Sequence, residues 1–233
     1  TRDDILTELA KAYNQDGNPD KALDTLMTHD FVPCEGGEHA IADQYMFAYL
    51  CKGQTAMENG DFIGAIELLR KGQVLPQSLG AGIWNHCKLI PLKFREALCL
   101  EAIGEKSAAD EIYRYISTVQ IEYFSNMHLK ELPFYQAVSA DRLGEGVKGQ
   151  HLITRYLREW SKIKDVRDNG FFGTPPFFIP FVDAPAKLRR AQYLYLTGLC
   201  DAYMGVDGAK EKLKEAYALN NDNLFALFFG NIL

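Results

Sequence analysis

The chain has 233 residues, 47% hydrophobic and 24% charged, with a formal net charge of -6 and a pI near 5.4. This supplies a sizeable core and excludes a disordered chain, while the acidic balance argues against nucleic acid, whose phosphates need a basic face. No stretch reaches the roughly 18 apolar residues of a membrane span, and no secretory leader is visible.

Every long apolar pattern has a period near 3.6, which predicts helices and no sheet. Leu6, Leu9, Ala10 and Tyr13 share one helical face. Asn18-Pro19 opens a second helix, continued by Ala22 and Leu26, so residues 3–33 read as a hairpin closed by Pro33. A second hairpin runs from about Glu38 through Gly53, turns at Asn59-Gly60-Asp61, and continues through Ala65 and Leu69 to Pro76. A third carries Ala97, Gly104, Ala109, Tyr113 and Ile116. A fourth carries Ala137, Ala140, Gly144, Gly149 and Ile153.

In the fifth, residues 188–223, the turn Gly205-Val206-Asp207-Gly208 separates two amphipathic patterns. Ala209, Leu213, Ala216 and Leu219 make one stripe, and small residues at Gly198, Ala202 and Ala209 let the two helices approach closely. Asn220-Asn221-Asp222 is the stop, and Asp222-Asn223 caps a last helix, LFALFFGNIL. Linkers at 30–38, 77–86, 125–131 and 165–187 are long for a uniform array, and the helices at 105–124 and 145–164 are longer than a repeat needs. The expectation is all-α, about eleven helices, in one solenoid spanning residues 1–233.

Five cysteines (Cys34, Cys51, Cys87, Cys99, Cys200) are odd in number, scattered, and mostly set in apolar helical patterns. They predict reduced core thiols and a cytoplasmic setting, not a disulfide framework. The chain opens in mid-pattern at Thr1 without an initiator Met and closes on an apolar run, which reads as a segment of a longer protein. Leu224, Phe225, Leu227, Phe228 and Phe229 are too apolar for an uncovered end, so residues 222–233 are expected to self-associate or to fray.

Two stretches stand out as candidate binding sites. The loop His29–His39 gathers His, Cys and carboxylates, and a metal set could be drawn from His29, Cys34, Glu38 and His39. Its spacing matches no zinc pattern and lacks a paired C-x-x-C, so no metal is assigned. Glu35, Glu38 and His39 become candidates for a partner or polar ligand. The alternative is a plain Gly-Gly turn feeding a helix whose first turn carries Glu38. The stretch Asp168–Ala184 holds five phenylalanines and three prolines. It is no helix, and its aromatics need cover. Phe171, Phe172, Phe177 and Phe178 either pack on the chain itself or dock onto a partner.

Catalytic templates fail: there is no G-x-S-x-G, no H-E-x-x-H and no phosphate loop, since Gly144–Gly149 lacks the G-K-[ST] end. No catalytic residue and no cofactor is assigned. His86-Cys87 has no organised partner and reads as core. Tyr49, Phe94, Phe134, Tyr135, Tyr193 and Tyr195 could line a groove, with burial between helices the better reading for most.

The hairpin of residues 188–223, with its Gly198, Gly205, Ala209 and Leu213 pattern, resembles a tetratricopeptide (TPR) repeat of about 34 residues. That resemblance implies an α-solenoid that binds proteins. The cationic clamp of chaperone-binding TPR domains is not implied: Lys11 and Asn14 suit it, but Gln54 and Leu98 stand where it would continue. The run Pro33–Glu38, the segment Asn169–Phe178 and the helix Gln192–Leu199 also resemble the C-terminal part of certain large bacterial proteins. There, a β-sandwich region of unknown function, similar to carbohydrate-active enzymes, precedes a helical tail. This implies a non-catalytic scaffold binding a protein partner or its own upstream domain. The alternative is an accessory segment lending Glu35 and Glu38 to a polar ligand site.

Overall fold

The computed structural model describes residues 2–33, 38–82, 86–120, 130–162 and 185–233, with only the backbone given for residues 38, 39 and 185. Eleven α-helices and no strand occur among them. These are α1 (Asp3–Gln15), α2 (Pro19–Met27), α3 (Glu38–Glu58), α4 (Phe62–Gly72), α5 (Ile90–Ala102), α6 (Lys106–Thr118), α7 (Leu132–Arg142), α8 (Gly146–Ser161), α9 (Pro185–Met204), α10 (Ala209–Leu219) and α11 (Leu224–Ile232). Short 3-10 turns at Gln77–Leu79 and His86–Leu89 lie between α4 and α5.

The turns follow one chemistry. Gly17, Gly60, Gly104, Gly144 and Gly205 all have positive φ and sit just past a helix end, where a side chain would strain the left-handed backbone. The next helix starts with a residue suited to its free amides. Pro19 opens α2, and Asp61 accepts from the Gly64 amide at 2.9 Å to cap α4.

The chain divides into two compact units, Thr1–Gly146 and Val147–Leu233. In the first, each helix packs on the next from α1 to α7. Beyond that, α1 packs on α3, α3 on α5, and α5 on α7. This is a stack of hairpins whose first helices stand side by side. Close approach is set by small residues: a Cβ on Gly53 would lie 2.6 Å from Leu69, and one on Gly72 2.6 Å from the Tyr49 Cβ. In the second unit α9 packs on α10, with Gly198 against Leu213, and α10 packs on α11. Asn223 caps α11 by accepting from the Ala226 amide at 3.0 Å.

The expected stripes are largely the buried ones. Ala22, Leu26, Ala65, Leu69, Ala97, Ala109, Ile116, Ala137, Ala140, Ile153, Leu213 and Ala216 are all essentially sealed from solvent. Three expectations need correction. The buried face of α1 is Thr7, Ala10 and Asn14, about one position round from the expected Leu6, Leu9, Ala10 and Tyr13, and Leu9 is 40% exposed. The reason is polar: the Asn14 amide donates to both the backbone carbonyl and Oε1 of Gln44, each at 3.0 Å, and so fixes the helix phase on α3.

Next, α6 does not run to residue 124. It stops at Thr118, where Val119 turns extended and the Ser117 and Thr118 hydroxyls bond back to Arg114, taking over its last-turn carbonyl. Finally, α11 is buried over most of its surface. Leu224, Ala226, Phe228 and Phe229 are each under 8% exposed. The apolar surplus expected to drive fraying or self-association through residues 222–233 reduces to the half-buried Phe225, Leu227 and Ile232 and the exposed Leu233.

Candidate interaction face

Glu35 and the aromatic candidates Phe171, Phe172, Phe177 and Phe178 lie outside the described residues. Glu38 and His39 begin α3, and their side chains are likewise outside them. The neighbouring His29 is accounted for. Its Nε2 meets Asp3 Oδ1 at 2.8 Å, its ring stands edge-on to Phe31, and the other Asp3 oxygen accepts from the Val32 amide at 2.9 Å. The same linker is tied to the next one, because the Phe31 amide donates to the Ser78 carbonyl at 2.7 Å.

The bonds from Val32 and His29 hold the Asp3 carboxyl below its ordinary 3.8. A carboxyl depressed in the fold stabilises it above the unfolded pKa, and that contribution is lost as pH falls through the folded value. Exchange of the Val32 amide is therefore expected to accelerate selectively below about pH 4, and Asp3→Asn should produce that faster exchange already at neutral pH. Unchanged protection of the Val32 amide after Asp3→Asn would rule this clasp out.

Two carboxylates fasten the hairpins to one another. Buried Glu96 of α5 accepts from Arg70 Nε at 2.8 Å and from Gln73 at 2.7 Å, both from the α4 side. Glu101, also on α5, takes the Tyr113 hydroxyl of α6 and the Arg142 guanidinium of α7, each at 3.0 Å. These are structural bridges, each satisfied on both sides.

A different arrangement runs along the row of first helices. On α3, Gln54 donates to Glu58 at 2.9 Å. Glu58 and Tyr135 of α7 both act electrostatically on Arg95 of α5, and Glu131 acts with Arg95 on Tyr135. Burial pulls the Arg95 guanidinium below its ordinary value, partly opposed by Tyr135, Cys99 and Glu58. Burial likewise raises the Tyr135 hydroxyl well above its ordinary value. Polar atoms on this row also lie buried without a hydrogen-bond partner among the described residues: Asn14 Oδ1 on α1, Gln54 Oε1 on α3 and Ser139 Oγ on α7. Sequence reasoning singled out Asn14, Gln54 and Tyr135 one by one but missed Glu58 and Arg95. Arg95 and Glu58 are far apart in the chain, and only the α3–α5–α7 packing brings them together.

The aromatics divide as expected: Phe94, Phe134, Tyr135 and Tyr195 are core, while Tyr49 and Tyr193 are half-exposed. Cys51, Cys87, Cys99 and Cys200 are free thiols. Burial pushes Cys51 and Cys200 up to about 12 and Cys99 to about 11, opposite to what a nucleophile needs. These three are expected to resist iodoacetamide at pH 8 in the native protein and to label only after denaturation. Native labelling at Cys99 within minutes would contradict this packing.

No model of a known protein family matches the chain. Among solved structures it is similar to a crystal structure of a Podosopora anserina protein named as a kinesin light chain with nearly identical TPR-like repeats. The match covers 92% of each chain at 16% identity, with a TM-score of 0.35. The fold reading stands on the helix packing itself. That packing is an all-α, TPR-like array of antiparallel hairpins. No helix among the described residues is long and apolar enough to cross a membrane.

Proposed function

We propose that this chain is a non-catalytic interaction scaffold, and that its first unit presents the row α1, α3, α5 and α7 to a peptide segment of a protein partner. What supports the reading is that Arg95 of α5 feels the charges of Glu58 on α3 and Tyr135 on α7, first helices that pack directly on α5. A core built only for packing would fill those positions with apolar side chains, since partly buried charge is costly to keep. A partner segment lying across the helices meets donors and acceptors at fixed positions, with the hairpin stack as a rigid frame. Glu35, Glu38, His39, Phe171, Phe172, Phe177 and Phe178 are further proposed contacts for the partner or for an upstream domain.

Panning a random-peptide display library against the purified protein tests this. Enriched peptides should bind the native chain and lose about tenfold or more in affinity to Arg95→Ala, with helicity unchanged. Absence of enrichment, or binding indifferent to both Arg95→Ala and Glu58→Gln, overturns the reading.

A further inference from the structure

The two units differ sharply in charge. Residues 1–146 hold 13 Lys and Arg against 22 Asp and Glu, whereas residues 147–233 hold 12 against 9. Within the second unit the excess is organised on one element. Helix α8 buries Gly149, Ile153 and Tyr156, and carries Lys148, His151, Arg155 and Arg158 on its exposed side, continued just past its end by Lys162. At 100° per residue these five fall within an arc of about 80°, opposite the buried face. All five are exposed, and His151, Arg155, Arg158 and Lys162 make no ion pair among the described residues.

Helix stability does not account for the stripe. Cations favour the last turn of a helix, yet Lys148 lies in the first turn, where the macrodipole opposes it, and that turn has no acidic residue. Like charges three and four residues apart also repel. Within α8 the one acid is Glu159, at the edge of the stripe.

We infer that this face of α8 is a docking surface for an acidic α-helical segment of a protein. Lys148, Arg155, Arg158 and Lys162, with His151 between the first two, are spaced 3, 4, 3 and 4 residues apart. That is the spacing a second helix presents along a shared seam, so acidic side chains on a partner helix would meet them in register over about 21 Å. Positions three and four apart stand about 5–6 Å from one another at Cβ, within the Debye length of about 8 Å at physiological salt, so their charges act together.

Two other polyanions fit less well. The acidic first unit repels a long nucleic acid, and phosphate binding is favoured by a basic balance that this chain lacks. An anionic membrane needs apolar side chains beside the cations to insert. Here Ile153 and Tyr156 are buried on the far side, Leu152, Leu157 and Trp160 are half-buried, and Val147 is the one exposed large apolar residue of α8.

The test uses the whole chain and a labelled helical peptide bearing Glu at alternating three- and four-residue spacing on one face. A peptide of the same composition with the Glu positions scrambled serves as control. Fluorescence anisotropy should show the patterned peptide binding at least about tenfold more tightly than the scrambled one. Arg155→Glu with Arg158→Glu should weaken it about tenfold or more without changing helicity, and raising salt from about 50 to about 200 mM should weaken it too. Equal binding of the two peptides, or insensitivity to the double charge reversal, overturns the inference. So does tighter binding of a single-stranded RNA oligomer, or of vesicles containing phosphatidylserine, when that binding is lost in the same variant. Arg95→Ala should leave the patterned peptide unaffected, which separates this face from the first-helix row.

Discussion

Replacing Phe229 by Ala is expected to destabilise the second unit by about 3–5 kcal/mol, the range for removing a sealed aromatic side chain. Phe229 is 2% exposed on a largely buried helix, and its ring pairs edge-to-face with that of Phe228 at 5.6 Å. Next to it, Gly230 lies against Lys214 and Leu213, so α11 sits too close to α10 to collapse much further into the space left behind. Phe225→Ala is the comparison, since Phe225 is only half-buried and should cost clearly less. Urea unfolding followed by circular dichroism separates the two. If both variants unfold at the same denaturant concentration as the parent, α11 is a dispensable end.

Gly80→Ala should be the most damaging glycine substitution in the first unit, on the order of 3 kcal/mol. Its φ of 60° is left-handed, which alone costs a residue with a Cβ roughly 1–2 kcal/mol. The added methyl would also lie 2.4 Å from the Phe31 carbonyl oxygen, an immovable backbone atom. Gly17→Ala is the control: its φ of 73° carries the same strain, but nothing lies within 4 Å of the new Cβ. The difference between the two measured losses therefore isolates the clash. Equal losses would mean that the linkers at Phe31 and Gly80 do not truly touch.

Much of the fold was legible because it is local. A hairpin announces itself within a short window, through an apolar stripe, a glycine turn and a capped second helix, and Gly53, Gly60, Ala65 and Leu69 illustrate all three. The phase of α1 was not legible, since it depends on Asn14 reaching Gln44, a contact 30 residues away. Nor was the end of α6, where hydroxyls outcompete the backbone over a single turn. The covering of α11 was misjudged for the same reason: an apolar helix states that it must be buried, not that it is. Of the candidate row, Glu58 and Arg95 carry no local signal that they meet; on the separate face of α8, the cations stood in plain view. Their common face became evident only once Ile153 and Tyr156 fixed which side of the helix is inside.

The side-by-side packing of α1, α3, α5 and α7 also bears on how the first unit forms. Almost every contact joins a helix to its neighbour or to the next but one. Little chain must be looped before a contact is made, so the entropic barrier is low and folding should be rapid, nucleating at any hairpin and spreading outward. The bond from Phe31 to Ser78 spans the whole of α3 and α4 and cannot form until both have folded. It should therefore be among the last protections to appear in a refolding experiment and among the first to vanish when the native protein opens.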